Sequence, residues 1–460
     1  MSNGGMHRNW IKLVIQTCSV FTLVNSAHAA MQALDDHMLS EETGQSAFYT
    51  NYIPSVVGDP SGSSFFTLGI QGNMEINANI QHLQLGCGGV NSASKPGLCD
   101  IDINNLSLSG VVPDNATNRP ATDAVLTNPF LRLAIKNPTS ISTRSISGVQ
   151  FGAESIIGML TTGTVNDTTL NGINSLSGYL EIGSASGIAT TNARHMTQAI
   201  GDLTGRVSMC IGVVVFGACV GGYAPIAYTA STYDLYLQSA NASFTTDPAV
   251  VNGKRQTDVK LTGQATLGDI LFSCQNPAAT DCITATALGL PLKEGVNGAI
   301  KNLKANVNVS ESLGLIHKLA LNGNAASLSL QNQNILWPGA KAANVAQQGW
   351  WLSVENPINI GNISPSNNVD IPDSTLKQAL GPAGAQTGNN INAALYQNPP
   401  TCSLTGCLFG TVLQVPDIYL GPGGAAPAGT PQTYVDFPLN NQQLQGQYFA
   451  PNCYGTLKFC

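Results

Sequence analysis

Apolar and polar residues alternate along much of this chain. In NMEINANI (73–80) the residues Met74, Ile76, Ala78 and Ile80 alternate with Glu75, Asn77 and Asn79, which places them on one face of an extended strand. After Gln81 and His82 the phase slips to Leu83 and Leu85. The same slip follows DIDI, where Ile101 and Ile103 give way to Leu106 and Leu108 across two asparagines. One inserted residue in an alternating strand reads as a β-bulge or bend, so long, bent strands are expected.

Further strand candidates are FLRLAI (130–135), GYLEIG (178–183), YDLYLQ (233–238), DVKLTGQATLG (258–268), KANVNV (304–309), SLSLQNQNILW (327–337), WWLSVENPINIGNI (350–363) and TYVDFPL (433–439). Most have one polar and one apolar face, the pattern of half-buried antiparallel strands. GAESIIGMLTTG (152–163) and SLGLIHKLAL (312–321) read as short helices. A further short helix is expected at MQALDDHMLSEETGQ (31–45), where Met31, Leu34 and Met38 recur at helical spacing, Leu39 follows and Gly44 supplies a stop. The predicted fold is mainly β, with antiparallel, curved or bent long sheets in a sandwich or elongated arrangement. The expected organisation is a leader (1–29), a helical segment (30–46), β-rich regions at 47–245 and 246–345, and a Pro/Gly-rich, disulfide-clipped β region at 346–460.

MCIGVVVFGACVGGY (209–223) is apolar, β-branched and uncharged. It could insert in a membrane or self-assemble; the plainer reading is a buried strand or hairpin clipped by Cys210 and Cys219. It is too short to span a bilayer as a helix.

The N-terminal thirty residues change the setting. Arg8 and Lys12 precede an apolar run from Leu13 to Val24, and Ala27-His28-Ala29 forms a small-residue cleavage site, so a secretory signal peptide is expected. Beyond Cys18, ten cysteines fall into close pairs: Cys87 and Cys99, Cys210 and Cys219, Cys274 and Cys282, Cys402 and Cys407, Cys453 and Cys460. In an exported chain such a set reads as disulfides. Zinc sites place ligands two to four residues apart in matched couples, which these spacings do not, so no metal or cofactor is expected. Charged residues make up only 10% of the chain, against about 25% in an average domain, and the net charge is −7. A sparse, acidic charge set argues against nucleic acid and against anionic membrane surfaces as partners.

Catalytic signatures are missing from the local sequence. GPGGAA from Gly421 lacks the helix that would receive a phosphate, because Pro422 and PAGTP follow. GSASG (183–187) has its serines on either side of the position a nucleophile elbow requires. Asp100, Asp102 and Asn104 begin like a calcium loop, but Asn105 and Val111 occupy the places of its glycine and glutamate; alternating polar strand positions explain them. His195 has no nearby nucleophile or orienting acid in sequence. The expectation is a protein that is not an enzyme.

The segment Met31–Gln45 resembles a D-x-x-L-S-x-x-T-G-Q signature, here Asp36, Leu39, Ser40, Thr43, Gly44 and Gln45, that opens a group of exported Gram-negative proteins. That group includes proteins described as a Fil pilus system and related domains of unknown function. Asn128–Leu160 is similar to the same proteins in style. The resemblance implies a structural or adhesive surface protein that works with related pilus or surface subunits, in the periplasm, at the outer membrane or on the cell surface. Few lysines on long strands leave edges poorly protected, so self-association is expected. The alternatives are an outer-membrane β-barrel, and a binding protein for an apolar ligand or assembly partner.

Overall fold

A computed structural model describes residues 48–111, 122–216, 218–287, 290–420 and 434–449, and these belong to one compact unit that begins at Phe48. The expected leader (1–29) and the 31–45 segment, with Met31, Leu34, Met38, Leu39 and Gly44, lie outside the described residues. So do Cys453 and Cys460. The fold is mainly β, as the alternation predicts.

The first sheet runs in the order Phe48–Ile53, Ser64–Ile70, Ala124–Lys136, Ser145–Thr161, Lys318–Gln331, Gly349–Ile358, Ile173–Ile182, Ile101–Ser109 and Ala78–Leu85. Neighbours are antiparallel except where Gly349–Ile358 lies parallel to Ile173–Ile182. The slip read at 101–108 is a real bend. Ile101–Ser109 pairs with Ile173–Ile182 through Ile101–Ile103, then with Ser145–Thr161 through Ser107–Ser109. Asn105, at φ 50, sits between the two pairings, in the left-handed region that asparagine tolerates better than most residues.

The second sheet is organised around two long strands, Tyr223–Leu237 and Leu290–Lys301. Two short strands, Ile283–Ala287 and Ile270–Ser273, lie end to end in the gap between them. Thr204–Cys210 and Arg194–Thr197 flank the other side of Tyr223–Leu237. The third sheet orders Tyr434–Asn440, Lys304–Ser312, Asp258–Leu267, Asn241–Thr246 and Ser186–Thr190. Its alternation is clean: Phe244, Val259, Leu261, Val307 and Phe437 are buried, while Ser243, Lys260, Thr262 and Asn308 face out.

One apolar core draws residues from all three sheets. A smaller core, built on Phe65, Ala134, Trp337 and Trp351, lies where residues 332–348 fold over one face of the first sheet. The three stretches 47–245, 246–345 and 346–460 interleave: strands from each of them enter the first sheet, because a sheet pairs edges without regard to distance along the chain.

Two helix expectations are corrected. All but the last two residues of GAESIIGMLTTG lie in the strand Ser145–Thr161. Its helix-like spacing arises because its pairing with Lys318–Gln331 shifts register twice, first with an extra residue in the partner between Asn322 and Asn324 and then with an extra residue in this strand between Ala153 and Ile156, which moves its apolar positions from one face to the other. Gly158 lies so close to its neighbours that a Cβ there would come within 2.7 Å of the Ala124 Cβ. SLGLIHKLAL holds only a single turn, Leu313–Leu315, before Lys318–Gln331 begins. Three short helices are not anticipated by the sequence reading: α1 (Asp373–Leu380), α2 (Ile391–Gln397) and α3 (Leu404–Phe409). The first was legible, since Leu376, Ala379 and Leu380 share a face and Gly381 ends the helix at φ 76. The short strands that accompany these helices, Thr401–Ser403, Thr411–Gln414 and Ile418–Tyr419, add to the second sheet in parallel.

Candidate functional site: an apolar sheet face and an exposed hairpin

Four of the five expected disulfides are present: Cys87–Cys99, Cys210–Cys219, Cys274–Cys282 and Cys402–Cys407. The fifth, between Cys453 and Cys460, falls outside the described residues. The four bridges are consistent with an oxidising, non-cytoplasmic compartment. Cys274–Cys282 closes the loop joining the two end-to-end strands of the second sheet. The loop closed by Cys87–Cys99 is held by a buried ion pair that nothing in the local sequence announces. Arg255, 0% exposed, donates from Nε to Asp100 Oδ1 at 3.0 Å, and its two terminal nitrogens donate to the carbonyls of Lys95 and Gly86. Asp100 also accepts from Asn91 Nδ2 and from the Trp350 amide. Asp100 is therefore a buried anchor, while Asp102 stays on the strand and accepts from Gln84 and Asn174 and pairs with His82.

The face of the first sheet opposite the small core is apolar in two successive rows. Register places Leu68, Leu131, Phe151, Leu328 and Leu352 side by side across five strands. Phe66, Leu133, Val149, Leu330 and Trp350 form the next row. Each of these is exposed or half-buried, with Phe151 at 53% and Leu68 at 49%. The intervening residues Thr67, Arg132, Gln150 and Ser329 point to the opposite face, where Arg132 donates to Thr67, Gln150 and the Pro338 carbonyl. Alternation alone would make the outer face polar; here the large apolar residues are outside. Tyr52 extends the second row at the edge strand, its ring 4.7 Å from that of Phe66.

The 209–223 segment forms a hairpin, as its plainer reading held, but the hairpin is not buried. Val213–Val215 pairs with Ala218–Val220, and Cys210–Cys219 ties it to the end of Thr204–Cys210. Ile211, Val213, Val214, Val215 and Val220 are exposed, and Phe216 at the turn is fully so. Gly212 and Gly221 meet at its base, where a Cβ on Gly212 would clash with the Val220 carbonyl.

The second sheet encloses a cavity of about 40 Å³, lined by Val207, Tyr228, Phe272, Leu292, Val296 and Leu395. Glu294, 5% exposed, is its acid: Oε2 accepts from the Thr411 amide at 3.3 Å, and Oε1 has no hydrogen-bond partner. Burial pushes its carboxyl up to about 8, and burial, then the Glu294 charge, pushes the Tyr228 phenol up. The space is far below the ~300 Å³ at which ligand pockets begin. Glu294 stands with Cys402 and Cys407 as a possible metal triad by distance, but the two sulfurs are bonded to each other, which removes the thiolates a metal needs. His195 does have an orienting acid, Asp234, 2.6 Å from Nδ1; the pair lies exposed on the second sheet against Tyr236 rather than in a cavity. Among the described residues no helix is long and apolar enough to cross a membrane.

Comparison with known protein families, with characterised proteins and with solved structures finds no match for this chain.

Proposed function

We propose that this chain is an exported, non-catalytic structural or adhesive protein of the cell surface, associated with a pilus-type system, which assembles with like or related subunits. The observation that carries this reading is the double row of apolar side chains on the first sheet, exposed at Leu68, Phe66, Phe151 and Leu330 and meeting the main core at Leu328, Leu352 and Trp350. Contiguous apolar patches of this kind mark interaction surfaces, and a second sheet stacking about 10 Å above the first would cover both rows at once. The two rows lie only about 7 Å apart along the strands, whereas a membrane barrel presents an apolar band about 25 Å tall. A protein partner therefore fits the face better than a bilayer. Local disulfides, low charge and polar Asn/Thr faces on the third sheet accord with a durable extracellular part.

Two measurements test the proposal together: sedimentation of the purified exported chain, and imaging and adhesion of a deletion strain. Concentration-dependent assembly with loss of surface fibres or adhesion is expected. A strictly monomeric chain and an unaltered cell surface would sink the reading.

A further inference from the structure

We propose that the disulfide-clipped hairpin at 211–221 is a lipid-inserting finger that enters the interfacial layer of a membrane of zwitterionic lipid. Four independent observations lead there. First, Val213, Val214 and Val215 are consecutive, and all three are exposed. Successive strand residues point to opposite faces, so the hairpin is apolar on both sides. A protein partner docked on one side would leave the other in water, whereas hydrocarbon surrounds it. Second, no charged residue stands between Arg206 and Asp234, so no ion has to be desolvated on entry.

Third, the tip carries an aromatic residue where the backbone disfavours one. Phe216 has φ 49, a conformation suited to asparagine or glycine in a two-residue hairpin turn and uncommon for a bulky side chain. Strain of this sort persists where surrounding structure or function demands the side chain, and a fully exposed Phe216 makes no core contact that demands it. Fourth, the dimensions fit. Three residues per strand reach about 10 Å, the depth to which apolar faces enter the boundary between headgroups and acyl chains. At that depth headgroups and water still satisfy the outer edges of the hairpin. Tyr223, opposite Cys210 at the base and half exposed, stands where an amphipathic ring meets the headgroups. The Cys210–Cys219 bridge and the close Gly212/Gly221 contact hold the finger in shape before it meets lipid, so little ordering is required on insertion.

The acidic chain gives no electrostatic attraction to anionic lipid, so the expected binding is to neutral phosphatidylcholine vesicles and is indifferent to salt. Flotation of the purified exported chain with such vesicles is the measurement. The wild-type chain should float at both low and high salt. Phe216→Asn suits the turn better than phenylalanine, so it keeps the fold while removing the ring; it should weaken partitioning by about tenfold or more. Phe216→Trp should retain binding, and so should Val57→Asp, a change at an equally exposed apolar residue outside the hairpin. Failure of the wild-type chain to float overturns the proposal. So does equal flotation of Phe216→Asn, or binding that needs anionic lipid or disappears at high salt. Self-association through the sheet face can succeed or fail separately, because it is measured without lipid.

Discussion

Arg255 shows how a single side chain can hold together parts of the chain that sequence keeps apart. Its guanidinium joins the Gly86 and Lys95 carbonyls to Asp100, and Asp100 in turn accepts from the Trp350 amide. Arg255→Met would leave the Asp100 carboxylate buried without its cation, at a cost of about 3–5 kcal/mol. Asp100→Asn in the same chain should restore part of that loss, read as the shift of the chemical denaturation midpoint. Glu294 makes a prediction of the opposite kind. Its carboxyl is pushed up to about 8 by burial, so the native chain keeps a proton that the unfolded chain has lost above the ordinary carboxylate range. Stability therefore falls as pH rises towards 8, by at most about 1.4 kcal/mol per pH unit for one proton. Glu311, raised by burial to about 7, adds to the lower part of that window. His317, lowered by burial, acts in the other direction only below its ordinary value. Between pH 6.5 and 8 the melting temperature should fall for the wild type and fall less for Glu294→Gln; equal slopes would show that the carboxyl is not held protonated. Neither acid stands out in the sequence, where Asp100 passes for a polar strand position and Glu294 carries no motif.

At the level of elements, the same kind of disulfide does two different things. Cys274–Cys282 closes the loop between two strands embedded in the second sheet between Tyr223–Leu237 and Leu290–Lys301. Opening that loop disturbs both long neighbours. Cys210–Cys219 fixes an exposed hairpin that contributes little to the core. Replacing Cys274 and Cys282 together by Ala should lower global stability by about 2–3 kcal/mol. The same replacement at Cys210, buried at the end of Thr204–Cys210, and Cys219 should lower the midpoint less while raising amide exchange in 211–221. Equal global losses would mean that the hairpin is part of the cooperative core. Strands with uninterrupted alternation, such as Asp258–Leu267 and Lys304–Ser312, were legible from their pattern. Ser145–Thr161 was not, because its own bulge between Ala153 and Ile156 is matched to one in Lys318–Gln331, a neighbour more than 150 residues away, and no window along the chain contains that pairing.

For the molecule as a whole, the decisive feature is that apolar residues lie on both faces of the first sheet. One face covers the small core around Trp337 and Trp351, and on the other the Leu68 and Phe66 rows run from exposed side chains to Leu328, Leu352 and Trp350, which pack against the main core. Phe66→Asp combined with Phe151→Asp places charge in both rows without touching either core. The variant should sediment as a smaller species than the wild type at matched concentration while its melting temperature changes little; unchanged association would assign assembly to another surface. By itself the sequence determined the mainly β class, the four local disulfide pairs now seen in the described residues, and the strands whose period is regular, because each depends on residues close together along the chain. The tertiary structure decided which apolar face is buried, that the clipped hairpin at 209–223 stands exposed, and that Arg255 meets Asp100. Those outcomes depend on which strands pair across long separations, and in a sheet a one-residue change of register exchanges the inner face for the outer.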